Sequence, residues 1–79
     1  MYENGEVQEI EIEFHVDMVP GAVIKAIQRK IPGFQPTYIE ASHSPSMKVV
    51  RYEFAGTLDG KEIDIEVSAD GSRIVFGDR

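Results

Sequence analysis

The fold of this chain is decided by residues 52–67, which read YEFAGTLDGKEIDIEV. Apolar and polar residues alternate on both sides of Asp59-Gly60, as in two strands that each bury one face. Asp-Gly favours a two-residue type I′ turn, because both central residues of that turn need a positive φ. Such a turn places Phe54 opposite Ile65 and Tyr52 opposite Val67, so the sequence predicts a hairpin with one apolar face.

A second Asp-Gly pair, Asp70-Gly71, predicts another turn after this hairpin. If it is also a two-residue loop, it sets Val67 opposite Ile74 and Ile65 opposite Phe76, which continues the apolar face. The other face then carries polar side chains, namely those of Arg51, Glu53, Glu62, Asp64, Glu66, Ser68 and Arg73. The two turns agree on one apolar face, which a helix must cover.

One helix is predicted over residues 18–31. Asp17 fits an N-cap, and Pro20 falls in the first turn, where its missing N–H leaves no hydrogen bond unmade. Pro32-Gly33 then ends the helix. The apolar side chains predicted to face each other in the core are Val23, Ile24, Ile27 and Ile31 on the helix and Tyr52, Phe54, Ile63, Ile65, Val67, Ile74 and Phe76 on the sheet.

Strands are predicted on both sides of the helix. Before it, apolar Ile10, Ile12, Phe14 and Val16 alternate with Glu9, Glu11, Glu13 and His15. After it, strands are predicted over residues 35–42, 48–58, 61–68 and 73–76, with a turn at 43–46. We therefore predict an α+β domain, with one helix packed on a four-stranded antiparallel β-meander and an additional N-terminal strand (β-α-β-β-β-β). Residues 1–6 are a predicted flexible lead-in, and 7–79 a single domain.

The first strand has apolar residues that need burial, and its placement is open. It can join the sheet of its own chain, or it can pair with a second copy of the chain to form a homodimer.

The composition disfavours several classes of function. The 79 residues carry a formal net charge of −6, which disfavours nucleic acid and anionic membranes as partners. The absence of cysteine excludes disulfides, thiolate zinc sites and cysteine nucleophiles. No apolar run approaches the roughly 20 residues that a spanning helix needs, so we expect no membrane insertion. The composition does not identify the compartment.

The order of four short motifs resembles that of PepSY and PepSY-like domains. The motifs are VPGAV at residues 19–23, KIPG at 30–33, YEF at 52–54 and DGKEIDIEVSADG at 59–71. The resemblance implies a helix on a four-stranded antiparallel sheet, in a β-lactamase-inhibitory-protein-like fold. The strand-helix-meander order is also similar to that of cystatins, but their Gln-X-Val-X-Gly hairpin is missing and residues 43–46 stand in its place.

The PepSY resemblance implies that the chain is not an enzyme, and it transfers no catalytic residue to this sequence. The residues themselves form no recognisable cofactor-binding or metal-binding motif. The acidic first strand with the Asp-Gly turns could bind Ca²⁺ weakly, but the sequence has no EF-hand loop. The resemblance implies a non-catalytic binding module that modulates or inhibits a peptidase, or an accessory domain of the cell envelope. It also implies an extracytoplasmic location, either periplasmic or secreted.

The histidines and serines offer little chemistry by themselves. His15, on the polar face of the first strand, and His43, in a loop, are predicted to be surface histidines rather than metal ligands. Ser42-His43-Ser44 is predicted to belong to a turn, because neighbours on an extended chain point apart and no buried Asp is placed to orient the imidazole.

The outer-face carboxylates of Glu53, Asp64 and Glu66 support the alternative function, a small acid/base enzyme. Glu53 and Glu66 are predicted to lie directly opposite each other. Arg51 and Arg73 are placed diagonally to them, where they would neutralise the pair. A further alternative is a self-associating structural domain.

Overall fold

The computed structural model describes residues 9–77 and has one helix and a five-stranded antiparallel sheet. In chain order the elements are β1 (Ile10–Glu13), a 3₁₀ turn (Val16–Met18), α1 (Gly21–Lys30), β2 (Gln35–His43), β3 (Val49–Leu58), β4 (Lys61–Ser68) and β5 (Ile74–Phe76). The predicted α+β class is confirmed. The strands lie side by side in chain order, so the N-terminal strand is one of five in a single sheet. The predicted lead-in, residues 1–6, lies outside the described residues.

The first hairpin has the predicted register. Phe54 pairs with Ile65 and Tyr52 with Val67 across β3 and β4. Asp59 and Gly60 have φ of 53° and 81°, which are the left-handed values that a type I′ turn requires. The local chemistry of Asp-Gly therefore determines the register of the two central strands.

The second turn keeps the predicted register but has a longer loop. Ile65 pairs with Phe76 and Val67 with Ile74. The Ser68 N–H donates to Arg73 O, 2.9 Å away, and the chain from Ala69 to Ser72 forms a four-residue loop instead of the predicted two-residue one. The loop is held by the Asp70 carboxylate, whose Oδ1 accepts hydrogen bonds from Ser72 N, Ser72 Oγ and Ser68 Oγ at 2.9, 2.7 and 2.9 Å.

The N-terminal strand joins the sheet of its own chain. β1 pairs antiparallel with β2, with Ile10 opposite His43 and Ile12 opposite Ala41. Phe14 continues the pairing by donating its N–H to Ile39 O at 2.8 Å. The predicted burial of Ile10 and Ile12 is wrong, because both lie on an edge strand and are 42% and 36% exposed. Val16, predicted to be in the strand, lies in the 3₁₀ turn and is also exposed. Whether the free edge of β1 also pairs with a second copy stays a prediction.

The helix begins later than predicted. Asp17 lies inside the 3₁₀ turn instead of capping a helix, and α1 starts at Gly21 with Pro20 as its N-cap residue. The residue before a proline is pushed out of the helical region, and Val19 accordingly has φ −87° and ψ 133°. A helix cannot pass through such a residue, so Pro20 delays the start of α1.

The core lies between α1 and one face of the sheet. Its buried apolar residues are Val19, Val23, Ile27, Ile31, Ile39, Ala41, Tyr52, Phe54, Ile65 and Val67. Ile24, Ile63 and Ile74 pack against this core and are partly buried. Phe76, predicted to be in the core, is 56% exposed because it belongs to the three-residue edge strand β5. None of the helical segments within residues 9–77 is long and apolar enough to cross a membrane.

Candidate functional site on the acidic face of the sheet

The face of the sheet opposite α1, called the outer face below, carries a row of four glutamates. Glu13 on β1 pairs with Glu40 on β2, which pairs with Glu53 on β3, which pairs with Glu66 on β4. Side chains directly opposite on neighbouring strands have their Cβ atoms about 4.5–5.5 Å apart, and like charges at that spacing repel. The row therefore concentrates negative charge in a line across the sheet.

Arg51 is the cation that compensates part of this charge. Its guanidinium donates two hydrogen bonds to the Glu9 carboxylate, at 2.6 and 3.2 Å. Its Nε lies 2.6 Å from Glu66 Oε2 and 3.6 Å from Glu53 Oε2. The Nε contacts are ion pairs without hydrogen-bond geometry, since Nε is buried with no aligned acceptor among the described residues. Arg73, predicted to help, is exposed and forms no ion pair within residues 9–77.

Three carboxylates converge beside Arg51. Glu11, Glu40 and Glu53 can each offer one carboxylate oxygen such that all three oxygens lie within 4.8 Å of one another. We call these three residues the carboxylate triad. The negative charge of Glu53, followed by that of Glu40, raises the pKa of Glu11 above its usual value. The triad is thus a place where a cation would be stabilised.

Ser42 lies on the outer face next to the triad. Its register partners are Glu11 on β1 and Arg51 on β3, and Glu40 precedes it by two residues on the same strand. Its relative exposure is 0%, and its Oγ has no hydrogen-bond partner among the described residues. A buried hydroxyl without a partner is unusual, because its desolvation is then uncompensated.

Tyr38 borders the triad on the other side. Its hydroxyl donates a hydrogen bond to Glu40 Oε2 at 2.9 Å, and this bond raises the pKa of Tyr38 above its usual value. Between Tyr38 and Glu66 lies an open depression of about 350 Å³, which also contacts Ala55 and Gly77. It is open to solvent, and it is acidic because Glu40, Glu53, Asp64 and Glu66 line it.

The predicted carboxylates are only partly brought together. Glu53 and Glu66 lie directly opposite each other, as predicted. Asp64 pairs with Ala55 and so lies two residues along β4 from Glu66. The alternation of Glu with apolar residues over 9–14 predicts the acidic face that Glu11 and Glu13 form on β1, but the sequence did not predict that Glu40 lies between this face and Glu53.

His43 was predicted to be a surface histidine in a loop, but the structure places it in a strand with its side chain buried. It ends β2 and is 6% exposed, because it follows Ile39 and Ala41 on the core face. Its Nδ1 lies 3.1 Å from Ala41 O, and its ring packs 5.7 Å from that of Phe14. The period of two over Ile39, Ala41 and His43 was the signal in the sequence. His15 is exposed, as predicted.

Ser42 and His43 cannot act as a nucleophile and its base. Ser42 lies on the outer face of β2, whereas His43 lies on the core face. The predicted turn at residues 43–46 also lies further along, since β2 includes His43 and β3 starts at Val49.

Comparison with models of known protein families, with curated proteins and with solved structures found no match to this chain. The resemblance to PepSY domains therefore depends on the motifs quoted above.

Proposed function

We propose that this domain is a non-catalytic binding module that engages a basic segment of a protein partner through its outer face. The observation that carries the proposal is the excess of carboxylates there. Glu9, Glu53 and Glu66 share the single guanidinium of Arg51, while Glu11 and Glu40 have no cation partner within residues 9–77. A surface with this charge attracts lysine and arginine side chains and speeds their association.

The shape of the surface supports binding over catalysis. The depression beside Tyr38 is open, whereas enzymes commonly enclose their substrates in clefts that exclude water. An aromatic ring flanked by carboxylates suits the long aliphatic stem and charged end of a lysine or arginine. The depression is large enough for one such side chain.

The resemblance to PepSY domains suggests the class of partner. A secreted peptidase whose activity the domain modulates or inhibits is the first candidate, and an envelope protein is the second. Either partner would agree with the extracytoplasmic location that the resemblance implies.

The test compares an outer-face variant with a variant of equal charge. Glu40→Gln with Glu66→Gln removes two charges from the outer face, and Asp17→Asn with Asp59→Asn removes two charges elsewhere. Binding of labelled basic, neutral and acidic peptides of equal length is measured by fluorescence anisotropy. We expect only the basic peptide to bind, and we expect the outer-face variant to bind it about tenfold more weakly than the control variant.

Equal weakening by both variants would show attraction to net charge alone and would contradict the proposal. The native partner is then sought by capture from an envelope fraction with the wild type and the outer-face variant. A peptidase retained only by the wild type, and altered in activity by it, would support modulation.

The alternative of a small acid/base enzyme rests on Glu53 directly opposite Glu66. Glu53→Gln with Glu66→Gln separates the two functions. Loss of a turnover activity would favour the enzyme, provided that circular dichroism shows the fold to be intact.

The alternative of a self-associating domain is tested by light scattering of the full chain.

A further inference from the structure

We propose that the carboxylate triad and the Ser42 hydroxyl form a Ca²⁺ site. Glu11, Glu40 and Glu53 supply one oxygen each, all within 4.8 Å of one another. The three residues lie on β1, β2 and β3, so the site would bridge three neighbouring strands. The inference does not require the partner proposed above, but a bound ion would use the carboxylates of Glu11, Glu40 and Glu53 that also attract a basic segment.

The Ser42 hydroxyl is the observation that distinguishes this site from an ordinary acidic patch. Carboxylates on a wet face are solvated and need no ligand, but the Oγ of Ser42 is buried and has no partner among the described residues. Its register places it between Glu11 and Arg51 and beside Glu40. A cation held by the triad would give this oxygen the interaction that it lacks.

The charge balance also favours a cation. Among residues 9–77, the guanidinium beside the triad is that of Arg51, and it is already paired with Glu9 and Glu66. It reaches Glu53 at 3.6 Å through one oxygen, Oε2. Within residues 9–77, neither Glu11 nor Glu40 is paired with a basic side chain. Their repulsion would be relieved by a bound ion.

The chemistry of the donors selects the ion. The donors are all oxygens, which suits hard cations and not zinc or copper. Ca²⁺–O distances of about 2.3–2.6 Å let two ligand oxygens of one ion lie up to about 5 Å apart, which covers the whole 4.8 Å limit of the triad. Mg²⁺, with distances of about 2.0–2.1 Å, spans only about 4 Å and demands stricter geometry. Ca²⁺ therefore fits with the least movement of the strands.

The first experiment is a titration of the full chain with CaCl₂, followed by ¹H–¹⁵N NMR at an ionic strength of about 0.15 M, which screens diffuse attraction. We expect saturable shifts of the amides around Glu11, Ser42 and Glu53, with a dissociation constant on the order of 10⁻⁴ to 10⁻³ M, as in weak extracellular Ca²⁺ modules. Shifts that do not saturate, or that spread over all acidic residues, would overturn the proposal.

Three variants make the titration specific. Glu53→Gln removes one ligand charge, and we expect about tenfold weaker binding. Ser42→Ala leaves the net charge unchanged, and we expect about fivefold weaker binding with the fold intact. Asp59→Asn removes one charge outside the outer face, and we expect less than about twofold change. Unchanged affinity of Ser42→Ala, or equal losses for Glu53→Gln and Asp59→Asn, would refute the site.

Terbium luminescence gives a second readout of position. Tb³⁺ is a surrogate for Ca²⁺, and its emission is sensitised by a nearby tyrosine. Tyr38 is hydrogen-bonded to Glu40, so excitation of tyrosine should produce emission that excess Ca²⁺ displaces. Tyr38→Phe should lose most of the sensitised emission while directly excited Tb³⁺ still binds. Full sensitised emission from Tyr38→Phe would place the ion elsewhere.

Discussion

Arg51 is the residue on which the charge of the outer face depends. It contacts Glu9, Glu53 and Glu66, which come from the segment before β1, from β3 and from β4. Isolated surface ion pairs contribute little to the free energy of unfolding. Removing a cation that three carboxylates share, however, leaves all three without a compensating charge. The effect of losing Arg51 should therefore exceed that of an ordinary surface substitution.

We expect Arg51→Met to lower the free energy of unfolding by about 1–2 kcal/mol. The matched control is Arg73→Met, which removes the same charge from a residue without an ion pair in the described chain and should stay within about 0.5 kcal/mol. Urea unfolding measures both variants, with an unchanged denaturant slope as the check on two-state behaviour. An equal loss of unfolding free energy in both variants would show that only the net charge of the domain affects its stability.

Gly56 is required because two groups occupy the space of a side chain there. A Cβ at this position would lie 2.7 Å from Phe34 Cζ and closer still to the backbone oxygen of Gln35. We expect Gly56→Ala to destabilise the domain by about 1–3 kcal/mol through this overpacking. Gly21→Ala is the control, since nothing lies within 4 Å of its Cβ and alanine favours a helix. Thermal unfolding compares the melting temperatures of the two variants. A Gly56→Ala variant with the melting temperature of the wild type would contradict this packing.

The β4–β5 loop is the element with a defined pH response. Hydrogen bonds from Ser72 and Ser68 lower the pKa of Asp70 to about 2. Because the folded pKa lies below the unfolded value of about 3.9, the stabilisation by this carboxylate is complete above pH about 4. It is lost as the pH falls toward 2. Carboxyl ¹³C NMR should show Asp70 titrating near pH 2 in the wild type and at a higher pH in Ser72→Ala, and a wild-type midpoint near 4 would contradict the loop geometry.

The elements differ in how far the sequence determines them. The β3–β4 and β4–β5 registers follow from two Asp-Gly turns, because turn chemistry is local. The predicted start of α1 is wrong because a proline inside the first turn would require Val19 to be helical, whereas Pro20 restricts Val19 to an extended conformation. The class of the domain and the opposition of Glu53 and Glu66 were predictable.

The β1–β2 and β2–β3 registers were not predictable, and most of the candidate site depends on them. β1 meets β2 only after α1 has folded back, so no local turn fixes their pairing. The β2–β3 ladder also shifts register twice, near Thr37 and near Val50. Such bulges change which residues stand opposite each other, so the alignment of Glu13 and Glu40 with Glu53 becomes visible only in the structure.

The sheet has one face covered by α1 and one face left for recognition. A chain of 79 residues has one core, and α1 covers only one face of the sheet. The residues available for recognition are those that face away from α1. This division makes the outer face accessible to an ion or a protein partner without disturbing the core.

The order of the strands also has a consequence for local stability. β2, β3, β4 and β5 are joined to their neighbours by short loops, whereas β1 reaches β2 across the 3₁₀ turn and the whole of α1. Closing that longer loop costs more entropy, and β1 is a four-residue edge strand. We expect native-state hydrogen exchange to find the β1 amides least protected and those of β3 and β4 most protected. Exchange of all five strands at one rate would contradict this.

If β1 opens first, Glu9 and Glu11 leave the outer face together while Glu40, Glu53 and Arg51 stay in place. One folded domain then presents two surfaces of different charge.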